Sequence, residues 1–209
     1  MTATLGLIRP SSPTTPEKDT LDAMLFTTAF AAQGVDTSLL VPWETRAVEV
    51  NARPLDASHG TPLLQALWAQ NKNMLHLDPT YIARMERFLV FAKVSANRDL
   101  IRQDEYGNFM VVLLNGSIAV DRLQPWGERL RLAEATPGTI LGEMSLLDSG
   151  LRFSICTTLS ECDIAVLSAE SMDQMLKAEP TLAAHFLALL ARKLSLRLRL
   201  VSARLSEQK

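Results

Sequence analysis

The sequence predicts an α+β fold: an antiparallel β-roll of the jelly-roll kind, preceded by helices and followed by one long C-terminal helix. Three observations carry this expectation. From Phe88 onward, short runs rich in β-branched and aromatic residues follow one another with turn residues between them. Asn115-Gly116 stands between two apolar runs, the strongest local hairpin signal in the chain. After Pro180, leucines recur at steps of three and four almost to the C-terminus.

Taken in order, residues 1–20, with Ser-Ser-Pro-Thr-Thr-Pro at 11–16, read as a flexible polar lead-in. Residues 21–88 read as a helical N-terminal extension. Asp19 or Thr20 caps a helix from Leu21 to about Gln33, and Gly34 ends it. Thr45–Val50 reads as a short strand, and a loop with Pro54, Gly60 and Pro62 follows. A second helix is expected from Pro62 to about Met74 with Thr61 as its cap. A third runs from Asp78 or Pro79 to about Leu89, placing Tyr81, Ile82, Met85 and Leu89 on one face. His59 and His76 stand alone and read as loop or surface residues.

Residues 89–168 carry the β-roll. Its runs are separated at Ala96-Asn97-Arg98, Asp104–Gly107, Asn115-Gly116 and Pro125-Trp126-Gly127. Further strands are expected at Phe153–Leu159 and Asp163–Leu167, with a turn near Glu161. Residues 169–209 form the C-terminal helices. Ser168 or Ser171 caps a short helix to Lys177, and Pro180 opens a long one from Thr181 to about Ser206. Leu187, Leu190, Leu194, Leu198, Val201 and Leu205 make one stripe; Leu182, Phe186, Leu189, Leu196 and Leu200 make a second. Leu-Ser-Leu-Arg-Leu-Arg-Leu alone alternates like a strand, but length and the leading proline favour helix. Two apolar faces suit packing on the roll and on a second copy, a homodimer through this helix. One broad core face in a monomer is the alternative.

A 47% apolar content supports one real core plus an accessory segment. The net charge of −2 gives no global attraction to nucleic acid. Cys156 and Cys162, six apart, read as free thiols of a reducing compartment rather than a disulfide. Leu21–Val35 is interrupted by polar residues and too short to span a bilayer, and no basic-then-apolar leader precedes it. These features predict a cytoplasmic protein without a membrane segment.

The chemistry concentrates in Gly138–Thr158. Gly142 and Glu143 open a short helical turn through Met144, Ser145, Leu146 and Leu147, and Arg152 stands nine residues after the glutamate. Amides at the start of a helix lack intrahelical partners and favour anions. A guanidinium beside them suits a phosphate through bidentate, charge-assisted hydrogen bonds. An ionised glutamate only accepts, so it suits sugar hydroxyls. The segment thus offers a phosphate clamp next to a ribose clamp.

Gly142-Glu143-Met144-Ser145-Leu146-Leu147, then Asp148 to Leu151, then Arg152-Phe153-Ser154, resembles the phosphate-binding cassette of the cyclic-nucleotide-binding domain. That family includes the bacterial cyclic AMP receptor protein and protein kinase A regulatory subunits, and the resemblance covers roughly Leu89 to Leu205. Gly138 four residues before Gly142, Gln103-Asp104 and Leu114–Ser117 fit its flanking turns, while Asn97 stands where a glycine is common. The resemblance implies that Glu143 accepts from the ribose 2′-hydroxyl. It implies that Arg152 neutralises the cyclic phosphate, aided by the amides of Met144, Ser145 and Phe153. It places Lys193, Arg197 and Leu198 of the last helix over the pocket mouth, with Lys193 or Arg197 free to pair with Glu143 or face a purine edge. It also lends the helices before the roll a movement on ligand binding.

Phe153 departs from the small residue the family carries after the arginine; its ring turns away, narrows the pocket or stacks on a base. Arg197 and Leu198 are not the small hydroxyl residues that meet adenine in the receptor protein. The resemblance implies a cyclic nucleotide as the ligand, with cyclic AMP favoured, and these departures leave cyclic GMP or cyclic di-GMP open. A degenerate interaction module that binds none is the alternative.

The chain ends at Lys209, where receptor-protein relatives begin a helix-turn-helix, so direct DNA binding is not expected. Arg192, Lys193, Arg197, Arg199 and Arg204 read as a solvated rim. A stand-alone sensor acting on an unidentified effector protein is the expectation. A metal-dependent small barrel would need clustered histidines, but the β region has none and His185 is alone on the last helix. No nucleophile–base pair, phosphate-binding P-loop or carboxylate pair suggests catalysis, and no cofactor is implied.

Overall fold

The computed structural model describes residues 24–69 and 79–207. The lead-in at 1–20, the expected start of the first helix at Leu21, the expected end of the second near Met74, and His76 lie outside the described residues. Helix α1 is Leu25–Ala32, followed by a 3₁₀ turn at Thr37–Leu39 and by α2, Trp43–Glu49. A short β1, Arg53–Pro54, precedes α3, Ala57–Ala69, and α4, Pro79–Met85, which tightens into a 3₁₀ turn at Glu86–Phe88. The roll comprises β2 Val90–Val94, β3 Asp99–Ile101, β4 Phe109–Asn115, β5 Ile118–Leu123, β6 Arg129–Ala135 and β7 Ile140–Leu141. Helix α5, Glu143–Asp148, comes next, then β8 Ile155–Thr158 and β9 Cys162–Ser168. Helices α6, Ala169–Ala178, and α7, Pro180–Glu207, close the chain.

The strands form two antiparallel sheets, ordered β1-β2-β9-β4-β7 and β3-β8-β5-β6. Their inner faces enclose one apolar cluster that includes Val94, Leu100, Phe109, Leu113, Ile118, Cys156 and Ile164. The outer face of the first sheet buries a second cluster against the helices, through Leu64, Trp68, Met85, Met110, Val112, Leu167, Met172 and Phe186. Both cysteines are buried free thiols, and burial pushes Cys156 up to about 12.

The Asn115-Gly116 turn forms, with Gly116 at φ +92°, but it does not join a paired hairpin. β4 pairs with β7 and β9, whereas β5 pairs with β6 and β8, so the turn carries the chain from one sheet to the other. An added Cβ at Gly116 would lie 2.5 Å from the carbonyl oxygen of Glu161, so the crossing needs glycine's bare backbone. The true hairpin is β5–β6, closed by Gln124–Glu128.

The N-terminal extension differs most from expectation. Residues 45–49 lie in helix α2, not in a strand. Trp43, Arg46, Ala47 and Val50 fall at i, i+3, i+4 and i+7; the first two and Val50 are buried, and Ala47 packs beside them. An arginine in an apolar stripe concealed that period. Trp43 and Val50 belong to the cluster inside the roll, so α2 closes one end of it. The expected loop at Pro54 holds β1, which pairs with β2 through Arg53↔Lys93 and Pro54↔Ala92. α3 begins at Ala57 rather than Pro62, since the Asp56 carbonyl already accepts from His59 and Gly60. The Thr61 hydroxyl bonds Glu86 instead of capping the helix (2.7 Å). The short helix of 169–178 is capped as expected by Ser168, which accepts from the Ser171 N–H.

One carboxylate of the domain caps the start of α1. Asp173 of α6, itself buried, accepts the backbone N–H groups of Phe26 and Thr27 at 2.9 Å each and the Thr27 hydroxyl at 2.5 Å. It thereby caps the first turn of a helix far away in sequence. Asp173→Ala leaves those donors buried and is expected to cost about 2 kcal/mol, read as a lower urea midpoint at unchanged m-value.

Candidate functional site

The site is assembled where β7, α5 and the segment before β8 meet the start of β4. Gly142 sits at φ +78°, ψ 6°, a left-handed conformation that turns the chain out of β7 into α5. Its carbonyl oxygen accepts from Arg152 Nη1 at 2.8 Å. Arg152 Nη2 donates to the Phe109 carbonyl at 2.6 Å, and the guanidinium carbon lies 4.7 Å from the Phe109 ring centroid. The Arg152 main chain is pinned on both sides as well: its N–H donates to Glu105 O (2.8 Å), and its carbonyl accepts from the Asp104 N–H (2.9 Å).

Arg152 is only 3% exposed, and among the described residues no carboxylate forms an ion pair with it. Burial pulls it down to about 10, the nearby Arg46 pulls the same way, and Glu105 and Glu143 oppose them. It remains a cation at neutral pH. A guanidinium has five N–H donors, and two are committed to carbonyls, so the rest are available to an anion.

Glu143 is buried, and its Oε1 accepts from Arg197 Nη1 of α7 at 2.5 Å. Lys193, one turn earlier on α7, donates to the Gly138 carbonyl at 3.0 Å. Burial, and then the nearby Arg197, lower the Lys193 ammonium from its ordinary range. The last helix therefore latches both ends of the turn that carries β7. Of the residues singled out in the sequence, Gly142, Glu143, Arg152, Lys193 and Arg197 are joined by these bonds. Ser145 is buried in the first turn of α5, while Met144 is exposed. Ser154 Oγ lies 4.0 Å from Cys156 Sγ. Leu198 is 67% exposed and is not brought to the site.

Phe153 resolves toward the first of its expected orientations. Its ring is 51% exposed and carries the Arg122 guanidinium 4.1 Å above its centroid. Arg122 Nη1 also donates to the Phe153 carbonyl at 2.5 Å. The alternation that turns Arg152 inward turns Phe153 outward, so the ring does not fill the site. Sequence reasoning missed Phe109, whose role is a main-chain carbonyl and a ring face. It also missed Gly107, where an added Cβ would lie 2.6 Å from Arg152 Nη2. The glycine at the end of the Asp104–Gly107 turn is the only sequence signal for this close approach.

The roll thus holds a buried arginine beside a glutamate-bearing helix start, a setting whose chemistry suits an anion. Residues 91–179 match the family model of the cyclic nucleotide-binding domain. It is 31% identical over 122 residues to the cAMP-activated global transcriptional regulator CRP of Pasteurella multocida, covering 56% of each chain. It is 30% identical over 97 residues to the cyclic AMP receptor protein of Thermus thermophilus, covering 46% of this chain and 45% of that one. A cyclic nucleotide-binding domain from Methylobacillus flagellatus superposes with a TM-score of 0.68 at 21% identity, covering 76% of this chain and 89% of that one. The chain spans about half the length of the curated relatives it matches. Among the described residues no helix is long and apolar enough to cross a membrane.

Gly142→Ala would place a Cβ 2.6 Å from Arg152 Nη1 and force a left-handed alanine. It is expected to cost about 1–2 kcal/mol from the backbone alone and to displace the guanidinium. Urea denaturation and the Arg152 side-chain N–H resonance check this.

Proposed function

We propose that this chain is a cyclic-nucleotide sensor, with cyclic AMP as the favoured ligand, that passes a conformational change to a protein partner. One observation carries the reading: Arg152 is buried as a cation, oriented by two carbonyls and unpaired with any described carboxylate. An unpaired buried charge is costly, and a cyclic phosphate would supply the missing counter-charge in bidentate geometry. The ribose hydroxyl would go to Glu143, where Arg197 engages Oε1 and leaves Oε2 as an acceptor. The names of the Pasteurella and Thermus relatives support cyclic AMP first. Those relatives are a receptor protein and a transcriptional regulator by name, in keeping with a role outside catalysis.

The second reading, an interaction module that binds no nucleotide, draws on the Arg197–Glu143 ion pair, which already engages the ribose acceptor. Its argument from Phe153 weakens, since that ring faces outward. A thermal-shift panel of cyclic AMP, cyclic GMP and cyclic di-GMP separates the readings. A ligand at a hundred times its Kd stabilises the native state by about 2.7 kcal/mol, and the strongest shift is expected from cyclic AMP. A panel with no shift favours the interaction module. Arg152→Ala is expected to weaken binding tens- to hundreds-fold, at about 1.5–3 kcal/mol per charged hydrogen bond. Arg152→Lys is expected to bind more weakly than wild type because it loses the planar fork. Calorimetric titration reads both.

The distal part of α7 leaves Leu198, Val201 and Leu205, which share one face, between 49% and 67% exposed. A second copy, pairing helix on helix, is the occupant this stripe fits. Leu198→Glu with Leu205→Glu is expected to give a monomer by light scattering where wild type gives a dimer.

A further inference from the structure

We propose that residues 41–50, which precede the matched domain, form a positioning element for the Arg152 anion site; the proposal rests on the site reading above. The segment grips the loop 104–109 at three places. Val41 N–H donates to Tyr106 O at 2.9 Å, and Leu40 forms a parallel bridge with Tyr106. The Trp43 ring meets the Phe109 ring edge-on, centroids 5.6 Å apart. Arg46, 1% exposed, donates through Nη1 to Glu49 at 2.7 Å and through Nη2 to Glu105.

That loop holds Arg152 in turn. Glu105 and Asp104 take both main-chain groups of Arg152, and Phe109 supplies one of its two side-chain acceptors and the ring beneath it. Trp43 and Arg152 therefore share one aromatic ring, while Arg46 and Arg152 share one glutamate: its carboxylate for the first and its carbonyl for the second. Arg46 Nε is buried without a hydrogen-bond partner, so the side chain is held by its two carboxylates alone. Moving Arg152 toward an anion must disturb Phe109 or Glu105, and both are fastened to the N-terminal segment. Coupling of this kind is reciprocal: what holds α2 in place sets the arginine, and what captures the arginine shifts α2.

The chain labelled with 5-fluorotryptophan tests this, its tryptophan resonances assigned by Trp43→Phe and Trp126→Phe. In the absence of any ligand, Arg152→Lys is expected to shift the Trp43 resonance and leave that of exposed Trp126 in place. Cyclic AMP added to wild type is expected to move the same Trp43 signal. Arg46→Met, shown folded by circular dichroism at 25 °C, is expected to weaken nucleotide binding about tenfold, as befits about 1.4 kcal/mol of lost positioning, and Arg46→Lys to recover part of it. Should Arg46→Met fail to fold, Glu105→Gln takes its place. A Trp43 signal indifferent to Arg152→Lys, or an Arg46→Met chain that binds as wild type does, overturns the proposal. A wild-type chain that binds no nucleotide sinks the ligand reading alone, because the Arg152→Lys response is read without ligand.

Discussion

A guanidinium buried without a carboxylate of its own is the constraint around which this structure is arranged. A charge taken out of water needs its hydrogen bonds replaced, and the cost is several kcal/mol when they are not. Arg152 obtains two replacements from main-chain carbonyls, and each dictates local structure. The Gly142 carbonyl faces it because the chain turns there in a left-handed conformation. The Phe109 carbonyl faces it at the very start of β4. Gly107 and Gly142 both lie where a side chain would strike the guanidinium, so the two glycines are the walls of its slot.

The last helix completes the arrangement by a different route. Arg197 pairs with Glu143, and Lys193 bonds the Gly138 carbonyl, so α7 holds the start of α5 and the turn before β7 together. Further down, the Gln33 amide at the end of α1 reaches the Asp148 carbonyl at the other end of α5 (2.8 Å). The short helix that carries Glu143 is thus tied at its N-terminus to the C-terminal helix and at its C-terminus to the N-terminal one. A displacement of α5 has no route that spares both.

Much of this was legible in residue order. Gly142-Glu143 with Arg152 nine residues on pointed to the segment in which the structure joins Gly142 and Arg152, and the leucine steps after Pro180 marked α7. The illegible parts share a cause. α2 was hidden because Arg46 occupies an apolar position in its stripe, which breaks the helical period that Trp43, Ala47 and Val50 would otherwise show. Phe109 contributes a carbonyl and a ring face, neither of which a side-chain pattern encodes. Asn115-Gly116 announced a turn correctly but not which sheets it would join, since pairing partners are set by contacts distant in sequence. The two-residue β7 is too short to show a period at all.

Arg46 raises the question that links stability to use. A leucine or methionine at that position would bury its bulk inside α2's apolar face without the cost of a charge, and such replacements are often neutral or stabilising. Trp43 and Val50 already anchor the helix in the roll interior. The guanidinium adds what an apolar side chain cannot: it fixes the carboxylates of Glu49 and Glu105 at one point. Glu105 is the residue whose carbonyl holds the Arg152 main chain. The placement of a second buried arginine is therefore better explained by the orientation of the first than by the stability of the helix that carries it.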